Sequence, residues 1–201
     1  MDNSQVIVSC ADDSLNCDMK NVICYIPTVT FCPTFDFYTL LNSLIFDKKF
    51  KSGRNTQLFG VSPYKYGKVE HSPCCITSNR FVCEMFDFIN TNFPFLSVNS
   101  CLINYYPDMS CFIPDHCDDE NHIAQGSFIV TISLGSTRKM LFKDMLSKNL
   151  LCSVTLTNGQ VLIFSKLSQS FFTHGVPACV AGHTDYSDFS PRISATFRQI
   201  T

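Results

Sequence analysis

The hydrophobic rhythm of the chain changes near its midpoint. In the first half, Phe37, Leu40, Leu41, Leu44 and Ile45 recur at helical spacing after Thr34, a suitable N-cap, and predict a helix with one face turned inward. Phe81, Val82, Met85, Phe86 and Ile89 repeat the pattern after Ser78 and predict a second helix ending near NTNFP. Residues 1 to 33 give short apolar runs, NVICYIPTVTF being the best strand candidate, and the glycine-punctuated aromatic stretch between the helices reads as a loop. From residue 96 the period shortens to two, and SCLINYY, SFIVTISLG, KMLFK, LLCSVTLTNGQVLIFS and PRISATFRQI read as strands. Asn158-Gly159, set between two alternating runs, signals a hairpin whose first strand ends near Thr157 and whose second starts near Gln160.

Two helices followed by seven or eight strands predict an α+β fold in which N-terminal helices back a two-sheet β-sandwich or barrel. With 201 residues, 45% of them hydrophobic, the chain suits one domain: residues 1 to 95 supply helices and loop, and 96 to 201 the β core. No run of eighteen apolar residues occurs, and MDNSQVIVSCADD has neither a basic n-region nor an apolar h-region. The expectation is therefore an intracellular monomer, cytoplasmic with the nucleus also open, and no membrane partner. Twelve cysteines fit reduced thiols in that setting. Cys10, Cys17, Cys24 and Cys32 are seven or eight apart and no C-x-x-C occurs, so a zinc cluster is not expected.

A formal charge of −2 excludes a global electrostatic footprint for long duplex DNA, so any nucleic-acid contact has to be local. Residues 48 to 80 are the basic part, with aromatic residues interleaved. The sharpest chemical signal is PDHCDDE, residues 114 to 120, where a histidine and four acids crowd together after Pro114 with no basic residue among them. Adjacent acids repel unless solvated, and a cation or a hydrogen-bonding ligand compensates them. On a strand, His116 and Asp118 point to one side, and FFTHGVP supplies His174 as a distant third ligand. The 2-His-1-carboxylate set with open positions is the pattern of non-haem Fe(II) oxygenases. In RISATFR, Arg192, Ser194, Thr196 and Arg198 share one face and Ile193, Ala195 and Phe197 the other. If the apolar side packs against helices or a second sheet, the polar side lines a pocket whose two guanidiniums suit a small dicarboxylate.

Taken together and in order, NYYPDMSCFIPDHCDDE, SFIVTISLGSTRKMLF, NGQVLIFS, THGVP and RISATFR resemble the AlkB-like family of Fe(II)- and 2-oxoglutarate-dependent dioxygenases. The resemblance is close over residues 101 to 200 and looser over 54 to 100, where RNTQLFGVSPYKYG looks like the family's nucleotide-recognition lid. It implies a double-stranded β-helix, of the jelly-roll or cupin-like kind, with Fe(II) on His116, Asp118 and His174. It also implies 2-oxoglutarate chelating the iron, its far carboxylate on Arg192 and its near end beside Arg198, with Asn104 and Tyr106 hydrogen-bonding it. Ser194 stands where the family often has asparagine. Asp119 first, and Glu120 second, are implied as contacts to a methylated base, with Tyr64 and Tyr66 stacking on it and Arg54 touching phosphate or a neighbouring acid.

The implied activity is oxidative demethylation of bases such as 1-methyladenine and 3-methylcytosine in RNA or single-stranded DNA, using O2 and releasing succinate, CO2 and formaldehyde. Domains of this type also occur inside replication polyproteins of RNA viruses, and the cysteine- and phenylalanine-rich, tryptophan-free composition inclines the expectation that way. Two other readings stay open on residues alone. One keeps the iron chemistry but acts on a protein or small molecule, and the other is a β-barrel binding module without turnover.

Overall fold

The computed structural model describes residues 6–9, 22–66, 69–179 and 191–201. Strands are numbered in chain order. The larger sheet runs β1 (Val6–Ser9), β2 (Val22–Ile26), β12 (Val161–Ser165), β9 (Phe128–Gly135), β14 (Arg192–Arg198), β7 (Ser100–Tyr106), β4 (Asn55–Gly60) and β3 (Lys48–Lys49). The smaller sheet runs β11 (Leu150–Leu156), β10 (Arg138–Asp144), β13 (Phe172–Val176) and β8 (Ile113–His116). A separate two-stranded ribbon joins β5 (Tyr64–Tyr66) and β6 (Val69–His71). This is the two-sheet α+β architecture that the sequence pattern predicts, in the jelly-roll, or double-stranded β-helix, form that the family resemblance implies.

Every residue of β14 is buried, because its two faces meet different layers. Ile193, Ala195 and Phe197 join Ile103, Ile132 and Ile163 in a core shared with helix α2 (Arg80–Asn92), and the Phe86 ring meets Phe197 edge-on at 5.0 Å. Arg192, Ser194, Thr196 and Arg198 face the smaller sheet instead. There a second core of Met140, Phe142, Phe164 and Phe172 fills part of the space between the sheets.

Helix α2 begins one residue after the predicted signal. Asn79 caps it, accepting from the amides of Phe81 (3.0 Å) and Val82 (3.3 Å), and its side-chain amide donates to Ser43 Oγ at 2.9 Å. Helix α1 is shorter than predicted, spanning only Phe37–Asn42. Thr34 is not its cap: the backbone and hydroxyl of Thr34 donate to Glu84 at 2.8 and 2.6 Å, and Asp36 caps the helix by accepting from the Thr39 amide at 3.0 Å. The Ser43 hydroxyl bonds back to the Leu40 carbonyl at 2.6 Å and the helix stops, which leaves Ile45 outside it and 80% exposed.

Two further expectations are corrected. Asn158-Gly159 does not close a hairpin, because β11 pairs with β10 in the smaller sheet and β12 with β9 in the larger one. The turn is a crossover between sheets: Asn158 accepts from the Gly135 amide at 2.9 Å and the Gly159 carbonyl from Phe31 at 2.8 Å. Gly159 has φ +79°, and a Cβ there would lie 2.5 Å from the Phe31 carbonyl oxygen. Nor is the stretch between the helices a loop. It contributes β4, hydrogen-bonded along β7, so the larger sheet takes strands from both sides of the expected boundary at residue 95.

Candidate active site

The site lies between the two sheets, in a cavity of about 400 Å³ of empty space that opens to solvent and is lined by both. His116 and His174 are directly opposed across the β8–β13 pair, their ring centroids 4.3 Å apart. That closeness needs the glycine after His174, since a Cβ on Gly175 would lie 2.8 Å from Asp115 Oδ1 and 3.0 Å from the Ile113 carbonyl oxygen. Asp118 follows just past the end of β8. One ligand atom from each of His116, Asp118 and His174 lies within 4.8 Å of the others.

The donor set fits a divalent iron. Asp118 is fully buried, and its Oδ2 accepts from Arg198 Nη2 at 2.6 Å and Nε at 3.2 Å, whereas its Oδ1 has no hydrogen-bond partner and lies 3.8 Å from His116 Nε2. Burial disfavours this carboxylate, but Arg198 and then the two histidines overcome it and hold the group down to about pKa 2. His116 Nδ1 lies 2.8 Å from the Pro114 carbonyl, which orients the ring. Burial pushes His174 down to about 3, with His116 adding to the effect, and burial also lowers His116. Two neutral imidazoles and a carboxylate with one open oxygen are the protonation states that metal binding requires.

Arg192 is fully buried on the same face of β14 as Arg198. Its Nε donates to Ser133 Oγ at 2.9 Å and its Nη1 and Nη2 have no partner. Asn104, Tyr106, Ser194 and Thr196 line the cavity beside them. The expected cosubstrate residues are therefore brought together with the triad.

The expected substrate contacts fare differently. Arg54 is not a surface phosphate contact: it is 2% exposed, lines the cavity, donates to Asn104 Oδ1 and lies 4.2 Å from the Phe50 ring. The strand assignment explains this, since β4 pairs with β7 and carries the chain at Arg54 inward. Tyr64 cannot stack on a base from where it sits. It is completely buried with Leu58, Leu102, Ile123 and Ile200, and Arg198 lies 5.2 Å from its ring. Burial raises its pKa well above the ordinary phenol value. Glu120 turns to the same side, and burial, then the Asp118 charge, raises its pKa. Asp119 is exposed, and the Tyr66 side chain lies outside the described residues. Of the remaining histidines, His71 is buried 3.7 Å from Asp47 and far from ligand geometry, His122 is exposed, and His183 lies outside the described residues.

Residues 55–198 match the profile of the 2OG-Fe(II) oxygenase superfamily. The chain belongs to that superfamily. Among its members the similarities are to AlkB-like proteins. The chain is 30% identical over 109 residues to the DNA oxidative demethylase ALKBH2 of Homo sapiens, covering 51% of this chain and 40% of that protein. It is 27% identical over 168 residues to the alpha-ketoglutarate-dependent dioxygenase alkB homolog 3 of Mus musculus, covering 77% and 54%. The solved structure of OsALKBH1 superimposes with a TM-score of 0.51 at 25% identity, covering 73% of this chain and 78% of that one. The chain thus spans about half or less of the length of these two curated relatives. Membership in this oxygenase superfamily brings Fe(II) and 2-oxoglutarate as cofactors.

Three buried polar residues escaped the sequence reading. Lys166 is buried and its ammonium donates to the carbonyls of Glu120 (3.0 Å) and Asp118 (3.4 Å), and Gln169 Oε1 accepts from the Asp118 amide at 3.2 Å. Both sit on or beside a short 3-10 turn, Leu167–Ser170, that no periodicity announces. The third is Arg138. An arginine in line with Met140 and Phe142 on an alternating strand was a visible signal, since those neighbours face the core.

Proposed function

We propose that the protein is an oxidative demethylase of N-methylated nucleobases, of the 1-methyladenine and 3-methylcytosine type, in RNA or single-stranded DNA. The observation that carries the reading is the arrangement around Asp118: one oxygen held by Arg198, the other open beside His116 and His174. With the open edge of Arg192 farther along the same strand, this supports a bound metal plus a diacid. The name of the human relative, a DNA oxidative demethylase, supports the substrate class.

His116, Asp118 and His174 would hold Fe(II), and the Arg192 guanidinium would take the far carboxylate of 2-oxoglutarate. The iron and 2-oxoglutarate, when bound, supply the oxidation of the methyl group by O2. The chain's part is to keep both imidazoles unprotonated, to aim Asp118 through Arg198, and to keep water away with the apolar walls of Phe164, Met140 and Ile113. Asp119, exposed and next in the chain to Asp118, is the acid assigned in this reading to a cationic methylated base. All of these groups come from one chain, which supports a monomer. The ten described cysteines stand as free thiols, in keeping with a reducing compartment, the cytoplasm first.

The test is formaldehyde release from a panel of methylated RNA and DNA oligonucleotides and a methylated protein, with and without Fe(II) and 2-oxoglutarate. Release from oligonucleotides only, dependent on both cofactors, is the expected result. Release from protein alone would overturn the substrate assignment.

A further inference from the structure

Arg138 and Arg192 come from different sheets yet share one aromatic ring. The Arg138 guanidinium carbon lies 5.6 Å from the Tyr106 centroid and that of Arg192 5.3 Å from it. Arg138 is 1% exposed. Its Nη2 is committed to the carbonyls of Cys111 (2.8 Å) and Pro177 (2.6 Å), but Nε and Nη1 are buried with no partner. Arg192 likewise leaves Nη1 and Nη2 open. Neither pairs with a carboxylate among the described residues, whereas Arg198 has Asp118.

Two buried cations with four such guanidinium nitrogens in all are costly unless an anion sits between them. A carboxylate has two oxygens and lone pairs enough for both guanidinium edges. Burial lowers Arg192 to about pKa 10; the Tyr106 hydroxyl beside it works the other way, and repulsion from Arg138 adds to the lowering, as expected of two cations that feel one another.

We propose that Arg138 is a second binding residue for the far carboxylate of the cosubstrate, so that the diacid is held by a pair of guanidiniums from opposite sheets. The inference rests on the reading that 2-oxoglutarate binds with that carboxylate at Arg192. Arg138 makes the pocket selective for a 2-oxo acid with a second carboxylate over one of equal chain length without it. Through its bonds to Cys111 and Pro177 it also ties the loops entering β8 and leaving β13 to the same anion.

The experiment uses the full chain loaded with Mn(II), so that no turnover is read, and measures binding of 2-oxoglutarate and of 2-oxopentanoate by calorimetry. Arg138→Met is expected to weaken 2-oxoglutarate by about thirty-fold, the loss of a charge-assisted contact, and to leave 2-oxopentanoate within about threefold. Arg138→Lys, which keeps the charge and guards against a misfolded methionine variant, should fall between. Equal weakening of both ligands would assign Arg138 to loop structure alone and overturn the proposal, as would no change in either. If Arg192→Met also leaves 2-oxoglutarate binding unchanged, the cosubstrate reading itself is what fails.

Discussion

Burial keeps both imidazoles of the site neutral, and that has a sign that can be measured. Above pH 6.5 neither folded nor unfolded His174 carries a proton, so it contributes no pH dependence. Between there and about pH 3 the unfolded chain takes up a proton that the folded site refuses, so stability falls as the pH drops, by up to about 1.4 kcal/mol per unit. His116 is shifted in the same direction, and Asp118, held at about 2, adds the same sign below its ordinary 3.8. Urea denaturation of the metal-free protein should therefore show stability declining from pH 7 to 5, and His174→Asn should flatten that slope by close to one proton. An unchanged slope would mean that His174 titrates freely. The partner of Asp118 gives a second test. Arg198→Met strands a buried carboxylate, and on the scale of broken buried pairs it should cost about 3–5 kcal/mol and weaken Fe(II) binding; denaturation and metal titration read the two effects separately. The β14 arginines were legible because a strand's period of two puts i and i+2 on one side, and the triad because a His-x-Asp pair and a distant histidine are ligand types that complete one metal set, although Asp118 lies just past its strand. Tyr64 and Arg54 were misjudged because their orientation depends on which strand lies beside them, and pairing partners are not written in local pattern.

The β8–β13 pair shows how an element sets the site. His116 and His174 face each other only while the two strands run close, and at Gly175, where the register shifts, there is no room for a Cβ. Gly175→Ala forces Asp115 or the Ile113 carbonyl aside, so the strands separate and the imidazoles with them. The expected outcome is at least a tenfold weaker Fe(II) affinity with the helices undisturbed, read by metal titration and circular dichroism. Wild-type affinity would show that the pair tolerates the methyl group. Helix α2 offers the contrasting case, remote from the metal. Asn79→Ala removes a side-chain acceptor for two amides and should cost about 1 kcal/mol without altering metal affinity. The apolar face of α2 was readable because thirteen residues carry more than three turns of pattern. Helix α1, with six, was overextended, since its end is decided by Ser43 and by the docking of Thr34 on Glu84. The Asn-Gly turn was located correctly but misassigned in role, because a jelly-roll sends consecutive strands to opposite sheets and the turn's own chemistry is the same in both cases.

At the level of the whole molecule, the residues that carry the chemistry all lie beyond residue 100 apart from Arg54, yet the sheet that holds them does not begin there. β4 supplies the neighbour of β7, and α2 covers the face of β14 opposite the arginines. A fragment of residues 96–201 would keep every triad and cosubstrate residue and still expose Ile193, Ala195 and Phe197 together with Ile103 and Ile132 to water. Burying apolar surface stabilises by roughly 25 cal/mol per Å², so uncovering a whole sheet face removes more than the few kcal/mol by which a domain of this size is stable. The open edge of β7 would in addition invite pairing between copies. The fragment is therefore expected to bind a hydrophobic dye, to aggregate, to lose a cooperative unfolding transition and to bind no Fe(II). Cooperative unfolding with retained metal affinity would show instead that the β half is a folding unit of its own, and that the helices and first strands serve only to shape the approach to the cavity.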